Sequence, residues 1–134
     1  MELINSYMAA SYFRNLIQSH DVEEFWVVAL NPQCKVITSR MLFRGTVDSC
    51  LIHPRDIFRF GMSWNATSLL VAHNHPSGAI EPSQPDIEMS QRLRKAGELV
   101  LLPVLDHIIV TARAHYSFAD QGWNPSLRSA NSAF

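Results

Sequence analysis

The spacing of apolar residues predicts an amphipathic helix near the start of the chain. Over residues 6–19, apolar side chains recur at the intervals of a helix. The side of this helix that we expect to pack on a sheet carries Tyr7, Met8, Tyr12 and Leu16.

Two apolar runs that follow predict a pair of neighbouring strands. They lie near residues 24–31 and 35–44, and the turn residues Asn31-Pro32-Gln33 between them favour a hairpin. Pro54 suits the first turn of a helix, which we expect to continue to about Ser63.

The central part of the chain predicts a buried strand followed by a long helix. The short apolar run at residues 68–72 stops before Pro76-Ser77-Gly78, which is typical of a buried strand that ends in a turn. A helix then begins near Pro82, where proline and serine are both favourable, and it ends near Gly97. Three further strands are predicted near 99–105, 107–111 and 115–118.

This mixed order of helices and strands predicts an α/β protein, a three-layer sandwich in which helices flank a mixed β-sheet. The 134 residues, of which 47% are hydrophobic, can bury a proper core. Residues 1–124 are expected to form a single domain. Residues 125–134 lack apolar periodicity and are expected to form a loose tail.

The charge balance argues against strong binding to nucleic acid. The formal net charge is −1 and the sequence pI is about 6.6, whereas nucleic-acid binders usually carry a basic excess. Nearby acidic residues partly offset the main basic neighbourhood, so a solvated rim is the favoured interpretation of its arginines, Arg40, Arg44, Arg55 and Arg59.

Cysteine usage and hydrophobicity favour a cytoplasmic protein. Cys34 and Cys50 do not form a CxxC pair, and free thiols in a reducing compartment are the favoured interpretation. The N-terminus does not have the pattern of a signal peptide. The apolar run at 99–105 is far shorter than the roughly 18 residues that suggest a membrane span, so no membrane association is expected.

The most informative pattern in the chain is His-x-His, seven residues, then Ser-x-x-Asp, formed by His73, His75, Ser83 and Asp86. Side chains two apart on a strand share a face, so the two histidines point the same way at the strand end. Asp86 lies on the core-facing stripe of the next helix, where a carboxylate is costly unless it is paired or binds metal. Two histidines and one aspartate are a ligand set typical of catalytic zinc.

Each half of this pattern also has a simpler explanation. Ser83 and Asp86 fit a capping box, which satisfies backbone donors at a helix start. Two histidines at a strand end can be ordinary hydrogen-bonded polar groups. A cap does not account for the histidine pair beside it, so the combination favours a metal site, with one zinc ion per chain as the expected cofactor.

The segment from His73 to Asp86 resembles the JAMM motif of the MPN/JAB metallopeptidase family, which includes deubiquitinating isopeptidases. Further segments are similar to the RadC branch of that family, namely Val47-Asp48-Ser49, His53-Pro54-Arg55, residues 72–78, Pro82-Ser83 and residues 106–110. The similarity extends from about Glu24 to Phe118. It implies a cytidine-deaminase-like sandwich, in a short form without the helix-hairpin-helix segment of longer RadC-like proteins.

The resemblance further implies a glutamate base at the start of an upstream strand. Glu23 and Glu24 are the candidates, and the family pattern places the acid directly against the apolar run. This favours Glu24 as the catalytic residue and predicts that Glu23 points to the opposite face, into solvent.

A role for each remaining site residue also follows from the resemblance. The implied zinc ligands are His73, His75 and Asp86. Zinc would activate a water molecule whose proton Glu24 takes, and Ser83 would donate to the developing oxyanion. Asp106 and His107 are candidates to orient the ligand imidazoles, with a turn between two strands as the alternative.

Two functions of different kinds therefore remain open. The first is a zinc-dependent metallohydrolase that acts on an unidentified peptide or isopeptide substrate. The second is a DNA-repair-associated or scaffolding module with little or no peptidase activity. The complete residue set favours the enzyme, because scaffold members of the MPN family often lose these residues. Hydrolysis of a nucleic-acid bond is less favoured, given a single zinc ion and the acidic charge balance.

Overall fold

Three helices and five strands make up the described part of the chain, which in this computed structural model comprises residues 1–45 and 52–123. In chain order they are α1 (Ser6–Leu16), β1 (Glu23–Leu30), β2 (Val36–Gly45), α2 (Pro54–Ser63), β3 (Ser68–Asn74), α3 (Gln84–Leu99), β4 (Val104–Val110) and β5 (His115–Ser117). The loose tail predicted at 125–134 lies outside the described residues.

The strands form one mixed sheet with the order β2-β1-β3-β4-β5. β1 pairs antiparallel with both β2 and β3, and β5 pairs antiparallel with β4. β3 and β4 are parallel, and α3 supplies the crossover that parallel neighbours require. The predicted α/β sandwich with a mixed sheet is therefore confirmed.

Both faces of the sheet are covered, which explains why its central strands β1, β3 and β4 are buried along almost their whole length. Successive side chains of a strand point to opposite faces. On β1, Phe25 and Val27 belong to the core that α2 and α3 cover, whereas Trp26 and Val28 belong to the core that α1 covers. This alternation also decides which polar residues at the strand ends face the same side.

The N-terminal helix packs on the sheet through a different face from the predicted one. α1 ends at Leu16 rather than near residue 19, and its buried residues are Ser6, Ala9, Ala10 and Phe13. Tyr7 is 75% exposed, Met8 is 37% exposed, and Tyr12 and Leu16 are only partly buried. The small side chains let the helix backbone approach the sheet closely, and Phe13 is the one large side chain among these buried residues.

A single strand, β4, occupies the region where two strands near 99–105 and 107–111 were predicted. α3 continues to Leu99, past Gly97, and the chain then reverses through Leu101, whose φ is 58°. A Cβ added at Gly97 would lie 2.8 Å from the Leu102 carbonyl oxygen. Gly97 therefore permits close packing of the helix end, and Asp106 lies within β4 rather than in a turn.

The remaining elements agree with the sequence pattern. α2 has the bounds that Pro54 and Ser63 predicted, and the β1–β2 hairpin forms across the predicted turn. In the described ranges no helix is both long and apolar enough to cross a membrane. The cytoplasmic location stays a prediction.

Candidate metal centre

Three of the predicted site residues meet at one end of the sheet. His73 lies near the end of β3, His75 follows that strand, and Asp86 lies in the first turn of α3. His73 Nε2 is 3.1 Å from His75 Nε2 and 3.3 Å from Asp86 Oδ1. His75 Nε2 is 3.2 Å from Asp86 Oδ2. The three side chains thus offer ligand atoms around a common point.

The local sequence explains why the two histidines project together. The His75 amide donates to the Val110 carbonyl, so the strand-like alternation of side chains continues past the end of β3. The chain then reverses, with the Gly78 amide donating to the His75 carbonyl and Gly78 at φ 86°. Glycine adopts this left-handed conformation readily, which allows the turn directly after the second histidine.

The start of α3 brings the aspartate to the histidines. The Ser83 hydroxyl accepts a hydrogen bond from the Asp86 amide at 3.1 Å, and Asp86 Oδ2 accepts from the Ser83 amide at 3.0 Å. This is a complete capping box. The capping explanation and the metal explanation are both compatible with the structure, because the same carboxylate contacts the two histidines.

The spacing of the two imidazole nitrogens fits a tetrahedral metal ion, and the Asp86 carboxylate lies beside both. Donors at about 2.0 to 2.1 Å from a tetrahedral centre lie about 3.3 Å from one another. The two imidazole nitrogens here lie 3.1 Å apart, and each lies close to one oxygen of the Asp86 carboxylate, His73 at 3.3 Å from Oδ1 and His75 at 3.2 Å from Oδ2. Imidazole nitrogen and carboxylate oxygen are also ligands that zinc accepts. The residues present therefore fit the implied ion.

The charge state of the centre favours a bound cation. Burial alone would raise the pKa of Asp86, but hydrogen bonds from His73 and His75 outweigh it and hold that pKa well below its usual range. The hydrogen bond to Asp86 raises the pKa of His75, against the opposing effect of burial. A carboxylate that stays ionised while partly buried needs a positive partner, either a proton on histidine or a metal ion.

A backbone carbonyl fixes the orientation of His75. Its Nδ1 atom lies 2.9 Å from the carbonyl oxygen of Ala79. Because a carbonyl can only accept, Nδ1 must carry a proton and donate. In the neutral ring this leaves Nε2 with its lone pair directed toward His73 and Asp86, which is the tautomer that a metal ligand needs.

His107 lies directly behind His73. Its Nε2 atom is 2.9 Å from His73 Nδ1, and the ring is fully buried between Phe25 and Phe118. Burial lowers the pKa of His107 well below its usual value, so the ring is neutral and can accept a hydrogen bond. His107 therefore occupies the position expected of a residue that orients a metal-binding imidazole.

Asp106 points away from the metal centre, to the face that α1 covers. Its carboxylate accepts hydrogen bonds from the Ser117 hydroxyl and from the amides of His107 and Ala119. Burial raises its pKa to about 6. Of the two predicted orienting residues, the structure brings only His107 to the metal ligands.

The two glutamates have the opposite orientation from the predicted one. Phe25 stacks on His73 with 6.1 Å between ring centroids, so the side of β1 that carries Phe25 faces the metal ligands. Glu23 shares that side and lines a cleft with His75, whereas Glu24 points toward α1 and is fully buried. The prediction that Glu24 faces the metal centre and Glu23 faces solvent is wrong, because the register of β1 against β3 places Phe25 opposite His73.

An open cleft of about 420 Å³ gives access to the centre. It is lined by Glu23, His75, Pro76, Ser77, Ser83 and Asp86. The Glu23 carboxylate, the Ser83 side chain and two of the three candidate metal ligands, His75 and Asp86, thus share one solvent-accessible space.

Sequence reasoning missed Asn74, the middle residue of the His-Asn-His pattern. Its side chain faces away from the histidines and is 1% exposed. It bonds to the backbone on both sides of Glu23, at the Val22 carbonyl and the Glu24 amide. The sequence did contain a signal for this role. Asn74 lies between two histidines that share the opposite face of a buried strand, and a buried amide must find hydrogen-bond partners.

An α/β sandwich with a His-His-Asp group at the end of a buried strand defines a class of domain with a candidate metal centre. The chain belongs to the RadC-like JAB domain family, whose model matches residues 3–123. The resemblance identified from the sequence is therefore confirmed.

Curated relatives of the chain are similar to it over most of its length. A UPF0758 protein of Actinobacillus succinogenes is 36% identical over 122 residues, which is 91% of this chain and 56% of the relative. One from Finegoldia magna is 42% identical over 103 residues, 77% of this chain and 46% of the relative. One from Photobacterium profundum is 41% identical over 112 residues, which is 84% of this chain and 50% of the relative. The chain thus spans about half the length of the curated relatives it matches.

Proposed function

We propose that this chain is a metal-dependent hydrolase that cleaves peptide or isopeptide bonds, with zinc as the expected ion. The supporting observation is the convergence of three ligand atoms beside a cleft that also contains Glu23 and Ser83. Structural zinc sites are usually closed by four protein ligands, whereas three ligands beside a cleft leave a position for water or substrate.

A divalent metal held there would polarise a substrate carbonyl and make an adjacent water more acidic. The base is proposed to be Glu23, in place of Glu24, because its side chain lines the cleft. Glu23 would take the proton of the attacking water and deliver it to the leaving nitrogen as the C–N bond breaks. General acid–base catalysis of this kind contributes about 10² to 10⁴ in rate.

Ser83 and His107 have supporting roles in this proposal. The Ser83 hydroxyl accepts from the Asp86 amide, and its own hydrogen has no acceptor among the described residues. It is therefore available for donation to the oxygen that becomes negative during attack. His107 would hold His73 in the tautomer that presents Nε2 to the metal.

The first test is metal analysis of protein purified without chelator, followed by an unbiased peptide and isopeptide cleavage screen. We expect one zinc ion per chain and cleavage that Glu23→Gln reduces by about 100-fold or more. The amide keeps the shape of the side chain but cannot take the proton, so zinc content and melting temperature should stay unchanged.

Glu88→Gln is the matched control, because Glu88 is an exposed glutamate on α3 outside the cleft. It should leave turnover and zinc content at the level of the unmodified chain. Protein that holds no zinc and cleaves nothing would overturn the proposal and favour the scaffolding alternative. Loss of zinc in Glu23→Gln would instead make Glu23 a metal ligand.

A further inference from the structure

The turn that leads into β1 is tied to the sheet by a buried amide, the side chain of Asn74. Asn74 Nδ2 donates to the Val22 carbonyl at 2.9 Å and to the Ser19 carbonyl at 3.3 Å, and Oδ1 accepts from the Glu24 amide at 2.7 Å. The Val22 carbonyl and the Glu24 amide belong to the two peptide units that flank Glu23. One side chain thus holds the backbone on both sides of the proposed base.

A buried carboxylate holds the same turn from the other end. Glu24 is fully buried, and its oxygens accept from the amides of Gln18 and Ser19 at 3.0 to 3.2 Å and from the Trp26 indole at 2.9 Å. The Arg44 guanidinium lies 3.9 Å from Glu24 Oε2 and supplies an opposite charge. Within residues 1–45 and 52–123, the donors that surround the carboxylate belong to the turn or to neighbouring positions of the sheet.

Such a network is a costly way to anchor a turn. Burying a carboxylate and an amide is unfavourable unless all of their hydrogen bonds are made. When they are made, the network becomes rigid and specifies a single arrangement. Here the rigid network includes Asn74, which lies between His73 and His75 in the chain. The network also holds the backbone on both sides of Glu23, the proposed base.

We propose that Asn74 and Glu24 are positioning residues for Glu23. They fix its backbone relative to the histidines at the end of β3, so that its carboxylate is held beside the metal centre before substrate binds. This inference rests on the proposed function and assigns to Glu24 a role distinct from that of a base. Catalytic groups must be placed within a fraction of an ångström, which a loose turn would not achieve.

Two variants of nearly unchanged shape test the inference in the full chain. Asn74→Asp keeps the acceptor for the Glu24 amide but places an oxygen against two carbonyls. Glu24→Gln places an NH₂ group among backbone donors. Glu23→Gln serves as the reference, and Val28→Ala, in the same core but away from the turn, serves as the control for lost stability.

The readouts are hydrogen exchange of the Gln18, Ser19 and Glu24 amides and the visible spectrum of the Co²⁺-loaded protein as a function of pH. In both positioning variants we expect exchange at these amides to be about tenfold faster or more. We also expect the pH midpoint of the spectrum to shift in the same direction as in Glu23→Gln. Val28→Ala should show neither change, although it too is less stable.

Kinetics with a peptide found in the cleavage screen complete the test. Misplacement of the base should lower kcat by about tenfold or more and leave KM within about twofold. Faster exchange with an unchanged spectrum and kcat would reduce the network to a structural anchor and overturn the inference. If Asn74→Asp does not fold, the same measurements on Glu24→Gln decide whether the inference holds. If the spectra shift as expected but no peptide is cleaved, the hydrolase proposal is contradicted and the positioning role of Asn74 and Glu24 is retained.

Discussion

At the scale of single residues, His107 illustrates how a side chain outside the cleft serves the centre. It offers its Nε2 atom to His73 Nδ1, and its ring stacks on Phe118 with 4.8 Å between centroids. Its own Nδ1 atom has no hydrogen-bond partner among the described residues. A buried polar atom left without a partner is costly, so the contact with His73 is the interaction that accounts for a histidine here.

Replacing this histidine tests its role in metal binding. His107→Phe preserves an aromatic ring against Phe118 but removes the partner of His73. We expect zinc affinity to fall by roughly 10- to 100-fold, because the ligand loses the contact that fixes its tautomer and orientation. Competition with a chromophoric zinc chelator measures the Kd. Phe118→Leu, which removes the ring stacked on His107 but keeps the contact between His107 and His73, should change the Kd by less than about threefold. Equal zinc affinities in His107→Phe and the unmodified chain would contradict this role.

The two adjacent glutamates show which site residues the sequence could predict. His73 and His75 share a face because the period of a strand is two, and Ser83 and Asp86 meet through a capping box, so both pairs follow from local spacing. Glu23 and Glu24 differ by one residue, and the choice between them depends on the register of β1 against β3. Register depends on long-range pairing, and a slip of one residue exchanges the faces.

At the scale of whole elements, two predictions failed for related reasons. Hydrophobicity favoured the side of α1 with Tyr7, but close approach to the sheet selected the side with Ala9 and Ala10. The adjacent polar residues Asp106 and His107 suggested an interruption of β4. Both are accommodated within the strand because each finds a hydrogen-bond partner distant in sequence, Asp106 on β5 and His107 on β3. A single sequence shows the polarity of a residue but not the partner that it finds.

Asp106 connects β4 to β5 and predicts a pH dependence of stability. Its pKa is raised to about 6 by burial, so the folded protein binds this proton more tightly than the unfolded chain does. The stabilisation is fully present below pH 4, near the unfolded pKa, and is lost as the pH rises through about 6. A shift of about two pKa units corresponds to about 3 kcal/mol in the free energy of unfolding.

The Asp106 effect can be isolated by comparison with Asp106→Asn, which does not titrate. Urea unfolding of both proteins with chelator present should give free energies whose difference changes by up to about 3 kcal/mol between pH 4 and pH 7. Val28→Ala lowers stability without removing a titratable group. Its free energy of unfolding, plotted against pH, should therefore run parallel to that of the unmodified chain. Parallel curves for Asp106→Asn would show that burial does not shift this pKa.

At the scale of the whole molecule, three of the four arginines in the basic neighbourhood have a partner among the described residues. Arg44 lies 3.9 Å from Glu24, and Arg55 lies 4.0 Å from Asp56. Arg40 lies over an aromatic ring. The net charge of −1 also leaves no overall excess of positive charge to attract a duplex. This distribution bears directly on the DNA-associated alternative.

We therefore expect this chain to bind duplex DNA only weakly and without sequence preference, with a Kd on the order of 10⁻⁴ to 10⁻⁶ M or weaker at physiological salt. Fluorescence anisotropy with a labelled duplex at several salt concentrations measures it, and each phosphate contact adds about −0.9 to the slope of log K against log salt. The double variant Arg40→Gln with Arg59→Gln removes two arginines that line the cleft between β2 and α2. It should change the slope by less than about one, because few phosphates are contacted. Tight binding that survives raised salt and is lost in the double variant would contradict this expectation and make a DNA-associated role the better account of the chain.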